Sequence, residues 1–456
     1  MKMNVRKVRS QFVHPVVVAR MSAGTKEKIQ TIVYSQGNCD HIRDLILDAG
    51  GKIKYDIPLI NAVVAEIPAK EIDHVAAHHM IQFINHDAKV FKCMNNASVA
   101  VAGHLVHDVG YTGKGVGIAV LDTGVYPHDD LVKPTNRIIA FKDIVNNKSY
   151  PYDDDGHGTH VAGIAAGSGY ANKKYMGIAP EANIIGVKVL DETGSGSTSD
   201  ILAGLQWVID NKDKYNIKIV NMSLGAPAEK SYREDPLAKG AAEAARQGLT
   251  VITAAGNSGP NPRTITSPGI SPSVITVGAV DDNRTTSYED DFIANFSSRG
   301  PTTGGVSKPN IVAPGVDIMS LSNKGHSSYV SHSGTSMATP MVSGTAALLY
   351  QKEPNISPAE VQSKLTGTAI NIGDSIYAEG AGILNIGGAL DLDKEELKEP
   401  NQHKNPYPDH HNDYPNNHQN NGREFHPRRR SGGGFNLGFL SNLLDPSLLP
   451  LLLLLL

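Results

Sequence analysis

The stretch GTSMATPMVSG, Gly334 to Gly344, decides how the rest of this chain is read. Small residues continue through Thr345, Ala346 and Ala347, as expected of a helix buried on every side. Ser336 then falls in the first turn. Unpaired backbone N–H groups and the positive end of the helix dipole there stabilise negative charge on a neighbouring oxygen. Pro340 lies so near the start that at most about one ladder bond is lost. A serine before a helix is commonly an N-cap, so a chemical role needs partners elsewhere in the chain.

Upstream, VGIAVLD (Val116 to Asp122) is a near-continuous apolar run, the signature of a strand buried on both faces. Similar runs recur at Asn183–Leu190, Ile217–Met222, Leu249–Ala254 and Val274–Val280. Helical stretches lie between several of them: His157–Ala166, Thr198–Asp210 and Leu237–Arg246. This alternation predicts an α/β fold with a mostly parallel sheet flanked by helices, over residues 111–393. Ligands of such sheets gather beyond the carboxyl ends of the strands, where Asp122, Ser223 and Asn257 fall. A helix from Pro358 and the short segment GILNIGGAL close this body.

Residues 29–93 read as a separate small α+β domain. A strand from Ile29 precedes a helix (DHIRDLILDAGG) that stops at Gly50 and Gly51. Two strands follow, either side of Pro58 and Asn61, then a helix from about Ala69 to His79 and a last strand, IQFI. The order strand-helix-strand-strand-helix-strand predicts a ferredoxin-like arrangement. Residues 1–28 are an N-terminal extension and 94–110 a connector.

Composition narrows the partners. A net charge of −4 gives no reason to expect nucleic acid. The cysteines, Cys39 and Cys93, both precede the larger body, which favours a reducing, cytoplasmic compartment. The apolar run Val16 to Ala19 is shorter than the roughly 7–15 residues of a signal h-region, so no signal peptide is expected. Residues 394–434 form a polar linker, rich in Asn, His, Pro and Asp, expected to be disordered. Its histidines (His403, His410, His411, His418, His426) are irregularly spaced and predict no metal site. The leucine-rich tail, 435–456, falls short of the roughly 20 apolar residues a spanning helix needs.

Three further motifs join Ser336. LDTG sets Asp122 at a strand end, DDDGHGTHVAG sets His157 at a helix start, and AAGN sets Asn257 just past a strand. A carboxylate, an imidazole, a hydroxyl and an amide donor are the set that acyl transfer requires: orienter, base, nucleophile and oxyanion donor.

These motifs, with Ser223-Leu224-Gly225, resemble those of the subtilisin-like serine proteases, or subtilases, in that family's order of Asp, His, Ser. The likeness covers about Tyr111 to Leu390, and the first domain resembles the subtilase inhibitory propeptide. Within the family the chain is most similar to the AprX-type intracellular alkaline serine proteases. The resemblance implies a serine endopeptidase with Asp122, His157 and Ser336 as triad and Asn257 as oxyanion donor. It implies peptide-pairing edges at Ser223–Gly225 and Gly194-Ser195-Gly196, and a pocket walled by Ser223–Gly225 and Ala254-Ala255-Gly256 with Thr266 near its floor. No acid lines that pocket, so apolar or aromatic side chains are expected before the scissile bond, in a depth that Thr266 narrows. His160 is expected to be structural. A silent scaffold on the same fold, or an esterase using the same triad, are the alternatives.

The resemblance also implies a self-processing precursor. Its N-terminal domain would act as an intramolecular inhibitor, cut between about Lys89 and Ala97, after Cys93. No cofactor is needed for the chemistry. Many relatives hold Ca²⁺ in the loop after the histidine helix, here Gly167 to Gly177, but Lys173 and Lys174 are poor neighbours for a cation. Asp129, Asp130 and Asp153 to Asp155 are read as solvated loop acids rather than a calcium site.

Overall fold

In a computed structural model, residues 12–22, 28–36, 39–87, 89–92, 103–283, 285, 288 and 290–392 are described. Contacts divide the chain into a unit up to Glu399 and a segment, 400–456, outside the described residues. The polar linker and leucine tail expected from composition therefore lie outside the described residues, as do Cys93 and its neighbours up to 102.

The N-terminal sheet is built from β1 (Lys28–Ser35), β2 (Lys52–Ile57), β3 (Ala62–Pro68) and β4 (Ile81–His86), in the antiparallel order β2-β3-β1-β4. Alternation along β1 decides its two faces. Val33, with Val63 and Ala65 of β3, packs on the domain's own helices, whereas Ile32 and Tyr34 face the larger body. The second helix is only Ile72–Ala76, shorter than expected, because β3 runs on to Pro68 and a turn follows it. A helix at Pro15–Ser22, inside the N-terminal extension, buries Val17 against this domain, and Val13 bridges Ile84 at the edge of β4.

β5 (Lys89–Lys92) leaves this domain and lies between two strands of the body. The body's main sheet uses β6 (Gly117–Asp122), β7 (Ile138–Asp143), β8 (Asn183–Lys188), β10 (Ile217–Met222), β12 (Thr250–Ala254), β13 (Ile275–Asp281), β14 (Phe292–Ile293) and β15 (Ile311–Pro314). Its order is β14-β13-β12-β10-β6-β8-β7, with β15 also on β13, and every pairing except β13 with β14 is parallel. β9 (Ser195–Ser197) and β11 (Leu224–Gly225) flank β5, and β16 (Ile318–Leu321) with β17 (Tyr329–His332) forms a hairpin.

Both faces of the sheet are covered. Ile118 and Val120 pack with helices His157–Ala166 and Thr335–Lys352, while Ala119 and Leu121 pack with helices Thr198–Asn211 and Pro236–Arg246. The second cluster also takes in Ile32, Tyr34, Ala62 and Val64, so the N-terminal sheet shares one apolar core with two helices of the body. Polar anchors flank it. Asp87 accepts the N–H and hydroxyl of Ser199 at 2.9 and 2.6 Å, in the first turn of helix Thr198–Asn211. Leu59 N–H donates to Gln206 at 2.9 Å. Within the stretch read as a connector, Gly103–Asp108 is helical, Val106 is buried in the body's core and His107 Nε2 meets the Ile178 carbonyl at 2.8 Å.

Candidate active site

β6 ends on Asp122, fully buried, and helix His157–Ala166 begins on His157, 1% exposed. Close backbone packing brings the two together. A Cβ at Gly158 would stand 2.1 Å from the Gly124 carbonyl, so only glycine lets the helix start settle on the loop after Asp122. His157 Nδ1 lies 2.6 Å from Asp122 Oδ1, which also accepts the Thr123 N–H at 2.8 Å. A carboxylate only accepts, so the imidazole proton sits on Nδ1 and Nε2 is left as the basic nitrogen. Nε2 is buried and has no hydrogen-bond partner. Asp153 holds the helix start, its carboxylate accepting from Gly156 N, Thr159 N and Thr159 Oγ1 at 2.8, 2.9 and 2.6 Å.

Ser336 is the second residue of helix Thr335–Lys352, and it does not cap it: the N-cap is Gly334, with no side-chain cap. Its hydroxyl donates to the Ser223 carbonyl at 2.9 Å, and the Ser223 hydroxyl donates back to the Ser336 carbonyl at 2.9 Å. Asn221 and Ser343 extend this network, at 3.0 and 2.8 Å, and join β10 to the middle of the helix. Asn257 Oδ1 accepts from Thr335 N and Thr335 Oγ1 at 3.0 and 2.9 Å. Two donors on one oxygen fix which way the amide faces, leaving Nδ2 buried and without a partner beside Ser336. Buried polar atoms are nearly always satisfied. Asp122 Oδ2, His157 Nε2 and Asn257 Nδ2, on three of the four motif residues, are among the described residues' exceptions.

The flanking strands hold the chain's own β5. Lys89, Val90 and Phe91 pair antiparallel with Ser197, Gly196 and Ser195, and Phe91 and Lys92 with Gly225 and Leu224. One edge is therefore Ser195–Ser197, not Gly194–Gly196. Gly194 stays outside the pairing because it closes a turn on Asp191 with φ +72°. Thr266 stands between the two expected pocket walls: a Cβ on Gly225 would lie 2.5 Å from its Oγ1, and one on Gly256 2.7 Å from its Cγ2.

The subtilase family profile matches residues 113–422, over half of the chain. The chain belongs to the subtilase family. It is 50% identical to the serine protease AprX of Bacillus subtilis over 292 residues, 59% of this chain and 65% of that protein, so the match spans just under two thirds of AprX. It is 34% identical to subtilisin E of the same organism over 353 residues, 76% of this chain and 85% of that one. Among solved structures, fervidolysin from Fervidobacterium pennivorans superposes with a TM-score of 0.64 at 24% identity, over 80% of this chain and 62% of that chain, which shows a common fold. Family membership and fold thus agree.

The loop in which subtilases commonly hold calcium does not fit an ion here. The Asp130 carboxylate, fully buried rather than solvated, accepts Ala171 N–H at 2.7 Å and the Tyr329 hydroxyl at 2.9 Å. Tyr175 packs against Tyr329 with the rings tilted at 50° and centroids 4.7 Å apart, and Asn172 caps the Lys173–Tyr175 turn. The other acids are likewise engaged: Asp129 with Lys133, Asp154 with Lys188, Asp155 with His157 N–H. The expectation of solvated acids fails for Asp130 and Asp153, which are buried because backbone donors surround them. Among the described residues no cluster of three or more His, Cys, Asp or Glu side chains could hold a metal, and no helix is long and apolar enough to cross a membrane.

His160 Nε2 meets the Ile318 and Val330 carbonyls at 3.0 and 3.1 Å and joins the two strands of the β16–β17 hairpin. Burial, with His332 and His157 nearby, holds its pKa well below the ordinary value, so the ring is neutral. Asn221 and Lys188 lie outside the quoted motifs. Their one sequence signal is a polar residue inside an otherwise apolar or small-residue run, as Lys188 is in NIIGVKVL.

Proposed function

We propose that this subtilase is an endopeptidase that cleaves peptide bonds through an acyl-enzyme at Ser336. His157 takes the serine proton and returns it to the leaving amine, and Asp122 fixes the imidazole tautomer. Asn257 Nδ2 and the Ser336 N–H bind the oxyanion. The observation that carries this reading is β5, a segment of the chain held as an added strand between β9 and β11, as a peptide substrate would be. Its register runs Phe91 to Gly225 and Lys92 to Leu224, and Leu224 follows Ser223, whose carbonyl carries the Ser336 hydroxyl. The reaction requires the serine hydroxyl to leave that carbonyl for His157 Nε2, through a change of rotamer about its Cα–Cβ bond.

The same register supports a precursor that cuts itself after Cys93 and whose N-terminal domain blocks the cleft until released. Apolar or aromatic residues should precede the scissile bond in substrates, with Thr266 narrowing the pocket that takes them. We further propose that the protein needs no calcium, since hydrogen bonds and an aromatic contact already close the loop. Its two cysteines suit the cytoplasm, which cell fractionation tests.

A phosphonofluoridate probe is expected to label Ser336. Ser336→Ala should abolish labelling and leave the precursor uncut, whereas the parent yields a mature N-terminus at Met94 by mass spectrometry. Labelling without casein cleavage points to an esterase, and absence of labelling to a silent scaffold.

A further inference from the structure

We infer that Lys188 is the positioning residue that holds Asp122 and His157 in their mutual geometry, an inference that rests on the triad reading above. Lys188 ends β8 directly opposite Asp122 in the parallel register, and its side chain is fully buried. Its ammonium has three N–H bonds and three acceptors: the Thr123 carbonyl at 2.7 Å, the Leu190 carbonyl at 2.8 Å and Asp154 Oδ1 at 2.5 Å. The Tyr152 ring, 5.3 Å from Nζ, covers the group.

Each acceptor belongs to a segment that carries the site. Thr123 sends its N–H to Asp122 Oδ1 and takes the Gly158 N–H on its hydroxyl, at 2.8 and 2.9 Å, so its placement sets both the carboxylate and the helix start. Asp154 lies in the acidic loop just before His157. Its neighbours Asp153 and Asp155 hold Gly156, Thr159 and the His157 N–H. Leu190 leads into the turn closed by Asp191 and Ser195, at the start of the substrate edge. One cation thereby fixes the acid's loop, the base's loop and the root of β9.

Stability alone does not account for an ammonium at this place. Taking a charge out of water is costly, and replacing a buried ion pair by an apolar side chain of similar volume is often neutral or stabilising. Removing the lysine alone leaves its acceptors unpaired and costs stability, but with a purely structural Lys188 the folded methionine variant would keep the parent kcat. With a positioning Lys188 the same variant loses kcat, because the short Asp122–His157 contact depends on two loops that the ammonium ties together beside the Gly158–Thr123 and Val125–Tyr152 hydrogen bonds, and small misplacements at a reacting centre are expensive in rate.

The test uses the full chain. Lys188→Met and Asp154→Ala are made in the parent and in the Ser336→Ala background. Turnover is read on a peptide anilide, and the low-field proton resonance of the buried Asp122–His157 hydrogen bond is read in the uncut background. For Lys188→Met, kcat should fall by about 100-fold with KM within about threefold, and the resonance should broaden or vanish. For Asp154→Ala, which removes one of three anchors at a partly exposed side chain, kcat should fall by about tenfold. If Lys188→Met does not fold, Asp154→Ala decides alone. Variants with kcat within about twofold of the parent, or an unchanged resonance, overturn the inference. A parent that reacts with the phosphonofluoridate beside such unaffected variants leaves the triad reading standing. A parent whose Ser336 does not react overturns both.

Discussion

At the residue scale, the pocket proposed above makes Thr266 the position that tests selectivity. Its side chain occupies the space that Gly225 and Gly256 leave open, and its hydroxyl is tied to the Ala255 carbonyl at 3.2 Å. Thr266→Gly is expected to raise kcat/KM for a phenylalanine before the scissile bond, relative to alanine, by roughly tenfold or more, since each buried methylene contributes about 1 kcal/mol or somewhat more. An unchanged ratio with the paired anilides would show that Thr266 does not bound the pocket. Lys308 makes a different residue-level prediction. Its buried ammonium meets the Val274 carbonyl and Asn310 Oδ1, at 2.7 and 2.6 Å, and burial lowers its pKa from 10.5 to about 7. Between those values the unfolded chain binds a proton that the native chain lacks, so unfolding free energy rises as pH increases from about 7 towards 10.5. Below about 7 both states are charged and the native state bears the full cost. Lys308→Met should flatten this slope and stabilise the chain at neutral pH by on the order of a few kcal/mol. Urea unfolding of the Ser336→Ala protein across that range checks it, and parallel pH curves for the two proteins would refute it.

Among elements, the junction of the N-terminal domain with helix Thr198–Asn211 is the most exposed to a single change. The Asp87 carboxylate, whose pKa burial pushes up against the pull of the Ser199 hydrogen bonds, supplies an acceptor to the helix's first turn from a different domain. Asp87→Ala removes both bonds and leaves a buried N–H unpaired, a loss on the order of 2 kcal/mol. Hydrogen exchange of the Ser336→Ala chain should then show weaker protection in β1 to β4 with β6 unaffected. Equal loss in both sheets would contradict a local junction. Elements also differed in how legible they were. Helix His157–Ala166 matches its expected span because it is small-residue rich and buried throughout. β7 was not anticipated, since an edge strand with one buried residue at each end carries no continuous apolar run. The β16–β17 hairpin escaped for a similar reason, β17 being only half-buried along its length.

At the scale of the molecule, two sheets share one apolar cluster, and β5 threads from the first into the cleft of the second. A large parallel sheet has many distant contacts and folds slowly, so under the precursor reading proposed above the N-terminal domain would serve as a template while the sheet forms. Asp130, Tyr329 and Tyr175 close the Gly167–Gly177 loop, and the proposal that no calcium is needed is tested there. The melting temperature of the Ser336→Ala chain is expected to stay within about 1 °C between excess chelator and excess calcium, because a ligand that binds only the native state must raise it. A larger rise with calcium would show that an ion binds after all.

The amino-acid order alone determined the parallel α/β body, the ferredoxin-like domain before it and the four motif residues at strand ends and a helix start. Those features are written in local periods, apolar runs and capping chemistry, which act over a few residues. Only the tertiary structure decided which edge residues pair with β5, that Gly194 stands aside, that Asp130 and Asp153 are buried, and that one lysine joins two loops of the site. Each depends on the approach of segments tens of residues apart. Backbone closeness and burial set the energy there, and neither has a signature in any single window of sequence.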